Sequence, residues 1–418
     1  MTLPPPLPIP AKKIHRASVW QLVLGAVSGL TFLLLTILMI LAVSGYKSRG
    51  GFATYETEVI EVTAWALAFI TLLCIPSIIT TVRRLRGIEP PPLTISRRLL
   101  VAAAALLALW IGLVFMGDRL DKLGMPAIFY GLLNILIVVL PVMVFLLAGW
   151  HRLRLHSTQR AWGAFNFSQF VTPVVAVTFE LIVFGVILIA AGTWLVQQAE
   201  FIPYMTLFES QGMLSEQAIE SMINDLLPLI PSSLLYGGAI LILCVFIPVI
   251  EEMFKPLAVW MFAGRKITPS EGFILGMISG AAFGVTESLL MMAMAGGVWT
   301  STVIGRAGAS LLHVTTTAIL GLTMARTWQD GKYMRVSLVY LAMIAVHGAW
   351  NLFAVMMGLN DMVFPVEYEW ISALMPYAQW VLCGLAAAML AALLLINRRL
   401  QKESTPPVLP VTISSPES

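Results

Sequence analysis

Residues 126–150 read PAIFYGLLNILIVVLPVMVFLLAGW, 25 positions without a single charged side chain. A helix rises about 1.5 Å per residue, so about 20 apolar residues cross the roughly 30 Å hydrocarbon core of a bilayer. The run is continuously apolar instead of alternating, which points to a helix and away from a strand of a membrane barrel. Comparable runs occupy residues 19–44, 59–82, 99–117, 171–196, 233–263, 272–295, 306–325, 336–358 and 373–396. The expected fold is therefore all-α, a polytopic membrane bundle of about ten spanning helices.

Composition agrees. Of the 418 residues 59% are hydrophobic and 11% charged, with a mean hydropathy of +0.88, where soluble domains carry about 25% charge. A soluble globular fold is excluded. The net charge of +3 is too balanced for nucleic-acid binding. Cys74, Cys244 and Cys383 all fall inside apolar runs and read as small buried hydrophobes, not as a disulfide frame or a thiolate metal site.

Charge placement sets the topology. With the N-terminus in the cytoplasm, 19 of the 25 Lys and Arg fall in inner segments and 5 in outer ones (Lys47, Arg49, Arg119, Lys122 and Arg306), while Lys255 lies within a span. This bias follows the positive-inside rule and puts both termini in the cytoplasm of a multi-pass cell-membrane protein. The first apolar run is too long for a signal-peptide core and reads as an uncleaved anchor. The Pro-rich start (residues 1–18) and the tail (residues 397–418) lack periodicity and are expected to be disordered. Between them the chain divides into a five-span module at residues 19–196, an acidic outer segment at 197–232 and a second five-span unit at 233–396.

The outer segment holds no Lys or Arg between residues 197 and 231, but five acids: Glu200, Glu209, Glu216, Glu220 and Asp225. Within it Leu214, Ala218, Met222 and Leu226 share a helical face with Ile219, Ile223 and Leu227, opposite Glu216, Glu220 and Asn224. The pattern predicts an amphipathic helix lying on the outer bilayer surface, or a lid over a site.

Ionisable groups inside a bilayer cost several kcal/mol unless paired, hydrated or metal-bound, so each is a functional-site hypothesis. The N-terminal half has almost none beyond Glu180, which reads as structural, as does Asn134. The C-terminal half concentrates them: Glu251, Glu252 and Lys255 in the sixth span, Glu287 in the seventh, His313 in the eighth, and His347 with Asn351 in the ninth. Counted from the cytoplasmic ends, Glu251, Glu287, His313 and His347 all lie roughly 16 to 22 Å deep. Four helices thus deliver polar groups to one level. Glu251 and Lys255, Phe283 and Glu287, His313 and Thr317, and His347 and Asn351 are each i,i+4 pairs sharing a face. Pro256 leaves the carbonyl of Glu252 without its helical partner and should loosen the sixth span. Gly276, Gly280 and Gly284 permit close helix approach beside Glu287.

The runs EEMFK (251–255), FGVTE (283–287), HVTTT (313–317) and HGAWN (347–351), in this order on successive helices, resemble the PrsW family of intramembrane proteases, distant relatives of the CAAX prenyl and bacteriocin-processing membrane proteases. The resemblance covers roughly residues 233–358 and leaves the first five spans as an added membrane module. It implies hydrolysis of a peptide bond in a membrane-anchored protein substrate, of the anti-sigma-factor kind in the founding case. By resemblance the glutamate pair holds the water-activating base, with Glu251 as base and Glu252 as its partner, roles that could be exchanged.

Two versions of the chemistry stay open. In one, His313, His347 and Glu287 form a His₂Glu set for a catalytic zinc with one position left for water. In the other no metal takes part, and the histidines and Asn351 position the water or bind the oxyanion. Asn351 suits an oxyanion donor in both, Lys255 pairs with Glu251 or Glu252, and Phe283 and Thr317 support the site. The other classes of function compatible with these residues are a proton- or ion-coupled transporter with a midplane Glu/His site and a non-catalytic membrane scaffold whose polar groups are interhelical glue.

Overall fold

The computed structural model describes residues 15–48, 55–121, 127–212, 215–295, 298–358 and 368–404. Residues 1–14 of the Pro-rich start, the C-terminal tail beyond residue 404, Leu214, Arg49 and Lys122 lie outside them, whereas Arg16–Ser18 are part of the first helix and Asn397–Ser404 continue the last one instead of being disordered. The chain is built from α1 (Arg16–Ser48), α2 (Tyr55–Leu85), α3 (Arg97–Asp121), α4 (Ala127–Trp150), α5 (Thr158–Leu195), α6 (Ile202–Gln211), α7 (Glu216–Leu226), α8 (Ser232–Leu241), α9 (Ile247–Phe254), α10 (Leu257–Trp260), α11 (Pro269–Ala293), α12 (Trp299–Asp330), α13 (Met334–Gly358), α14 (Glu369–Leu374) and α15 (Ala378–Ser404). Two-residue strands β1 (Leu93–Thr94) and β2 (Arg154–Leu155) pair antiparallel, Leu93 opposite Leu155. Among the described residues ten helical segments are long and apolar enough to span a membrane, and they overlap the ten read from hydropathy.

The outside of this bundle is apolar. On α1, Leu30, Leu34, Leu38 and Leu41 form a stripe, each about 60% exposed, as a lipid-facing surface requires. Its centre is the antiparallel-packed pair α11 and α12. Phe273, Ile274, Leu275 and Met277, which point in all directions around α11, are fully buried. A helix apolar on every side belongs inside the bundle, and α2, α4, α5 and α10 surround this one. The two central helices meet backbone to backbone: a Cβ on Gly276 would fall 2.3 Å from the Thr317 carbonyl oxygen, and one on Gly280 2.0 Å from that of His313.

Several features differ from the hydropathy reading, each for a physical reason. Helix α5 begins 13 residues before its apolar run, capped by the Ser157 side chain, which accepts from Arg160 N–H. Its first turns are polar yet buried, because neighbouring helices take the place of water. Gln159 donates to Ser18 at 2.9 Å and to Gln21 at 3.1 Å, Gln169 donates to Cys74 Sγ at 3.0 Å, and Ser28 donates to Asn166 at 3.2 Å.

The outer segment forms two helices instead of one. Tyr204 of α6 donates to Asp225 of α7. On α7 Ile219 and Ile223 are exposed while Leu226 is buried. The cysteines also part company: all are free, but only Cys74 is buried, Cys244 being intermediate and Cys383 exposed on α15, where lipid rather than protein surrounds an apolar side chain.

The sixth span is broken twice. Residues Ile242–Phe246 make a π-turn between α8 and α9, and the helix gives way again at Pro256. There the N–H groups of Val259 and Trp260 both turn to the Pro256 carbonyl, at 2.8 and 3.1 Å. The Lys255 carbonyl receives the hydroxyl of Ser279 from α11 instead. Non-helical backbone at this depth persists because protein groups satisfy it.

Candidate active site

Helices α9, α11, α12 and α13 bring their ionisable groups to one place, and the fully buried Lys255 stands at its centre. Its Nζ lies 2.7 Å from Glu252 Oε1, 2.9 Å from His313 Nδ1, 3.2 Å from Glu251 Oε2 and 3.4 Å from His347 Nδ1. Glu252 Oε1 also accepts from Thr316 at 3.2 Å and stands 2.9 Å from His347 Nδ1. The imidazoles meet edge to face, centroids 5.7 Å apart. Phe283 closes the side, its ring 5.3 Å from that of His313 and 5.5 Å from the ammonium.

These distances assign the protons. An ammonium has three donors and no acceptor, so His313 must offer a lone pair at Nδ1 and hold its proton on Nε2. A bare His347 Nδ1 at 2.9 Å from a carboxylate oxygen would oppose two lone pairs, so this nitrogen is protonated and donates to Glu252. Its 3.4 Å approach to Lys255 is then the weaker contact. His347 therefore leaves a lone pair on Nε2, which lies 3.8 Å from Glu251 Oε2. The two histidines are opposite tautomers.

On the other side of His313, its Nε2 is 2.8 Å from Glu287 Oε2, which is also 2.7 Å from Arg306. Neither contact is aligned as a hydrogen bond, although Arg306 Nε donates to Ser288 at 3.0 Å. Arg306, which charge counting assigned to an outer loop, is inside α12 and balances Glu287.

Several expected groups converge and others do not. Glu251, Glu252, Lys255, His313 and His347 share one cluster, with Phe283 against it and Glu287 attached through His313. Asn351 has a different neighbour: its amide donates to the Leu243 carbonyl in the π-turn, at 2.8 Å. Thr317 is buried with its hydroxyl unpartnered, while the adjacent Thr316 makes the bond to Glu252. Asn134 accepts from the Trp299 indole at 2.9 Å, an interhelical bond.

Sequence reasoning passed over Ser279 and Ser168. The buried Ser168 of α5 lies 2.6 Å from the Ser279 hydroxyl, which in turn binds the carbonyl of Lys255. Ser279 shares a face with Phe283 and Glu287 at i+4 and i+8, a spacing that could have revealed it. Nothing local marks Ser168. Glu180, also on α5, lies within electrostatic reach of Glu251, Glu287 and Lys255. Its helix face packs on α9, where Phe179 stacks 4.8 Å from Phe254 and Ala176 buries against Ile250 and Phe283.

The zinc set read from the sequence does not fit this arrangement. His313, His347 and Glu287 face no common point, because Glu287 meets His313 at Nε2 and His347 lies on the Nδ1 side. Among the described residues no three His, Cys, Asp or Glu side chains are placed to hold a metal ion. The point that both imidazoles do face is filled by the Lys255 ammonium, at distances of 2.7 to 3.4 Å that suit N–H donors, where zinc needs about 2.0 to 2.2 Å.

Residues 206–394 match the model of the PrsW family intramembrane metalloprotease. No curated protein and no solved structure matches the chain. The match runs from α6 into α15 and takes in all four helices that build the cluster, in a chain whose described residues include ten helices able to span a bilayer. Residues 206–394 of this multi-pass membrane protein, a little under half of the chain, are therefore similar to the PrsW family of intramembrane metalloproteases.

Proposed function

We propose that the cluster around Lys255 hydrolyses a peptide bond of a membrane-anchored protein, with Glu251 as the general base. One observation carries this reading: the Glu251 carboxylate and the free Nε2 of His347 are two acceptors 3.8 Å apart. A single water can donate one O–H to each and turn its lone pairs outward toward a scissile carbonyl. As the water oxygen bonds to that carbon, its proton passes to Glu251. The C–N bond then breaks and Glu251 returns the proton to the leaving amine.

The developing oxyanion needs preorganised donors. His313 Nε2 and Arg306 Nη2 are buried donor atoms without an aligned acceptor, and both are available to it. Glu252 stays paired with Lys255 and His347 and acts as the orienting partner, while Asn351 holds the π-turn that leads into α9. The same proposal includes cytoplasmic termini, a catalytic unit at residues 233–396 and a supporting module at 19–196. A regulator of the anti-sigma-factor kind is the substrate class that the family relationship favours.

The test is cleavage of a single-span reporter by purified protein in liposomes. Glu251→Gln should lower cleavage by at least about 100-fold, the usual contribution of a general base, and Glu251→Asp should restore part of it. Unchanged cleavage in Glu251→Gln would reject the assignment. Ion flux that disappears without any cleavage would identify a transporter.

A further inference from the structure

We propose that Lys255 is the resident cation of this site, that its ammonium occupies the place where a metalloprotease would hold its metal, and that the two exclude each other. The inference deepens the proposed reading, but it rests on the geometry of the cluster and not on the reaction. Around Nζ stand Glu252 Oε1, His313 Nδ1, Glu251 Oε2 and His347 Nδ1, between 2.7 and 3.4 Å away. These are two carboxylate oxygens and two imidazole nitrogens from three helices, a donor set of the kind that binds zinc. They are held apart by an ammonium instead of drawn in by a metal.

Charge explains why something must sit there. Glu251 and Glu252 bring two negative charges into an enclosure where Lys255 and Glu252 are fully buried and Glu251 is 9% exposed. Lys255 cancels one of them and donates to Glu252 Oε1 and to His313 Nδ1. Taking out one partner of a buried ion pair leaves an uncompensated charge, which is strongly unfavourable. Without Lys255 the shell would carry both negative charges and the free Nδ1 lone pair of His313, and His347 would add a second once its proton moves from Nδ1 to Nε2. A divalent cation would meet that deficit if the side chains moved inward by about 1 Å to zinc distances. The lysine thus does for this chain what a metal does elsewhere: it ties two carboxylates and two histidines from separate helices into one unit and sets the His313 tautomer.

The experiment is zinc content, measured on full-length protein after equilibration with zinc sulfate and dialysis. Wild-type protein is expected to retain no zinc that depends on His313, so its content should equal that of His313→Ala. Lys255→Met and Lys255→Ala should each retain about one zinc per chain, held by the vacated His₂Glu₂ shell, and lose it again when combined with His313→Ala. Stoichiometric zinc in the wild type that His313→Ala removes would overturn the proposal. So would folded Lys255 variants, judged by their melting transitions, that gain none. Should neither variant fold, the wild-type comparison with His313→Ala decides alone. The peptidase reading has its own readout in reporter cleavage, so either can fail without the other.

Discussion

Thr316 and Thr317 are neighbours in one motif, and the structure gives them opposite weight. Thr316 donates to the buried carboxylate of Glu252 at 3.2 Å, and hydrogen bonds to charged groups contribute about 1.5 to 3 kcal/mol. Thr316→Val should therefore destabilise the protein by about that amount and slow cleavage. The Thr317 hydroxyl is buried without a partner, so Thr317→Val, which keeps the shape and removes an unsatisfied group, should leave the melting temperature unchanged or raise it. Thermal unfolding in detergent checks both; equal effects would contradict the assignment. Opposite histidine tautomers are a second expectation at this scale. ¹⁵N spectra of the labelled protein should show one ring protonated at Nε2 and the other at Nδ1, and Lys255→Met should release His313 from that constraint.

At the scale of elements, the site depends on how α11 touches α12 and the Pro256 break. Gly280→Ala would set a methyl group 2.0 Å from the His313 carbonyl oxygen; backbone cannot yield as a side chain can, so the two helices must separate and carry His313 away from Lys255. Overpacking of this kind costs about 1 to 3 kcal/mol, and activity should fall further than stability. Gly284→Ala meets the His313 ring at 3.2 Å and should be milder. Comparing cleavage and melting of the two variants tests the order. Ser279→Ala orphans the Lys255 carbonyl, a buried acceptor, at a cost of about 1 to 3 kcal/mol, while Ser279→Thr keeps the hydroxyl.

Spans and motifs were legible at this scale because apolar length and costly buried charges are both written in composition. EEMFK, FGVTE and the two histidines could be placed at a common depth without any knowledge of contacts. Which threonine bonds and which way Asn351 turns depend on side-chain directions, and Arg306 lies inside a helix because α12 starts seven residues before its apolar run; hydropathy encodes neither. The polar start of α5 was hidden for a related reason: Gln159, Asn166, Ser168 and Gln169 look like a hydrated loop until α1, α2 and α11 supply their partners.

For the whole molecule, the boundary of the family match and the boundary of the working unit are different. The match begins at residue 206, yet α4 and α5 pack on α11 and the Ser168–Ser279–Lys255 chain reaches from the first half into the cluster. Residues 197–418 expressed alone should therefore lack cleavage activity, and co-expression with residues 1–196 should restore it. An active isolated C-terminal half would show the first five spans to be dispensable. The same packing makes Ser168→Ala, outside the matched segment, expected to lower cleavage, with Ser168→Thr as the conservative comparison.

The π-turn at Ile242–Phe246 winds one more residue into its loop than an α-turn would. Adjacent residues on an α-helix point about 100° apart, and the wider turn absorbs its extra residue without passing that rotation on, like slack taken up in a rope. Excising a single residue there should let the turn relax to α and leave Glu251 at its present station. Deleting Val245 and repeating the glutamine substitutions checks this: the essential carboxylate should still be the one now numbered 251, and a change to the one now numbered 252 would show that the deletion rotates everything below it.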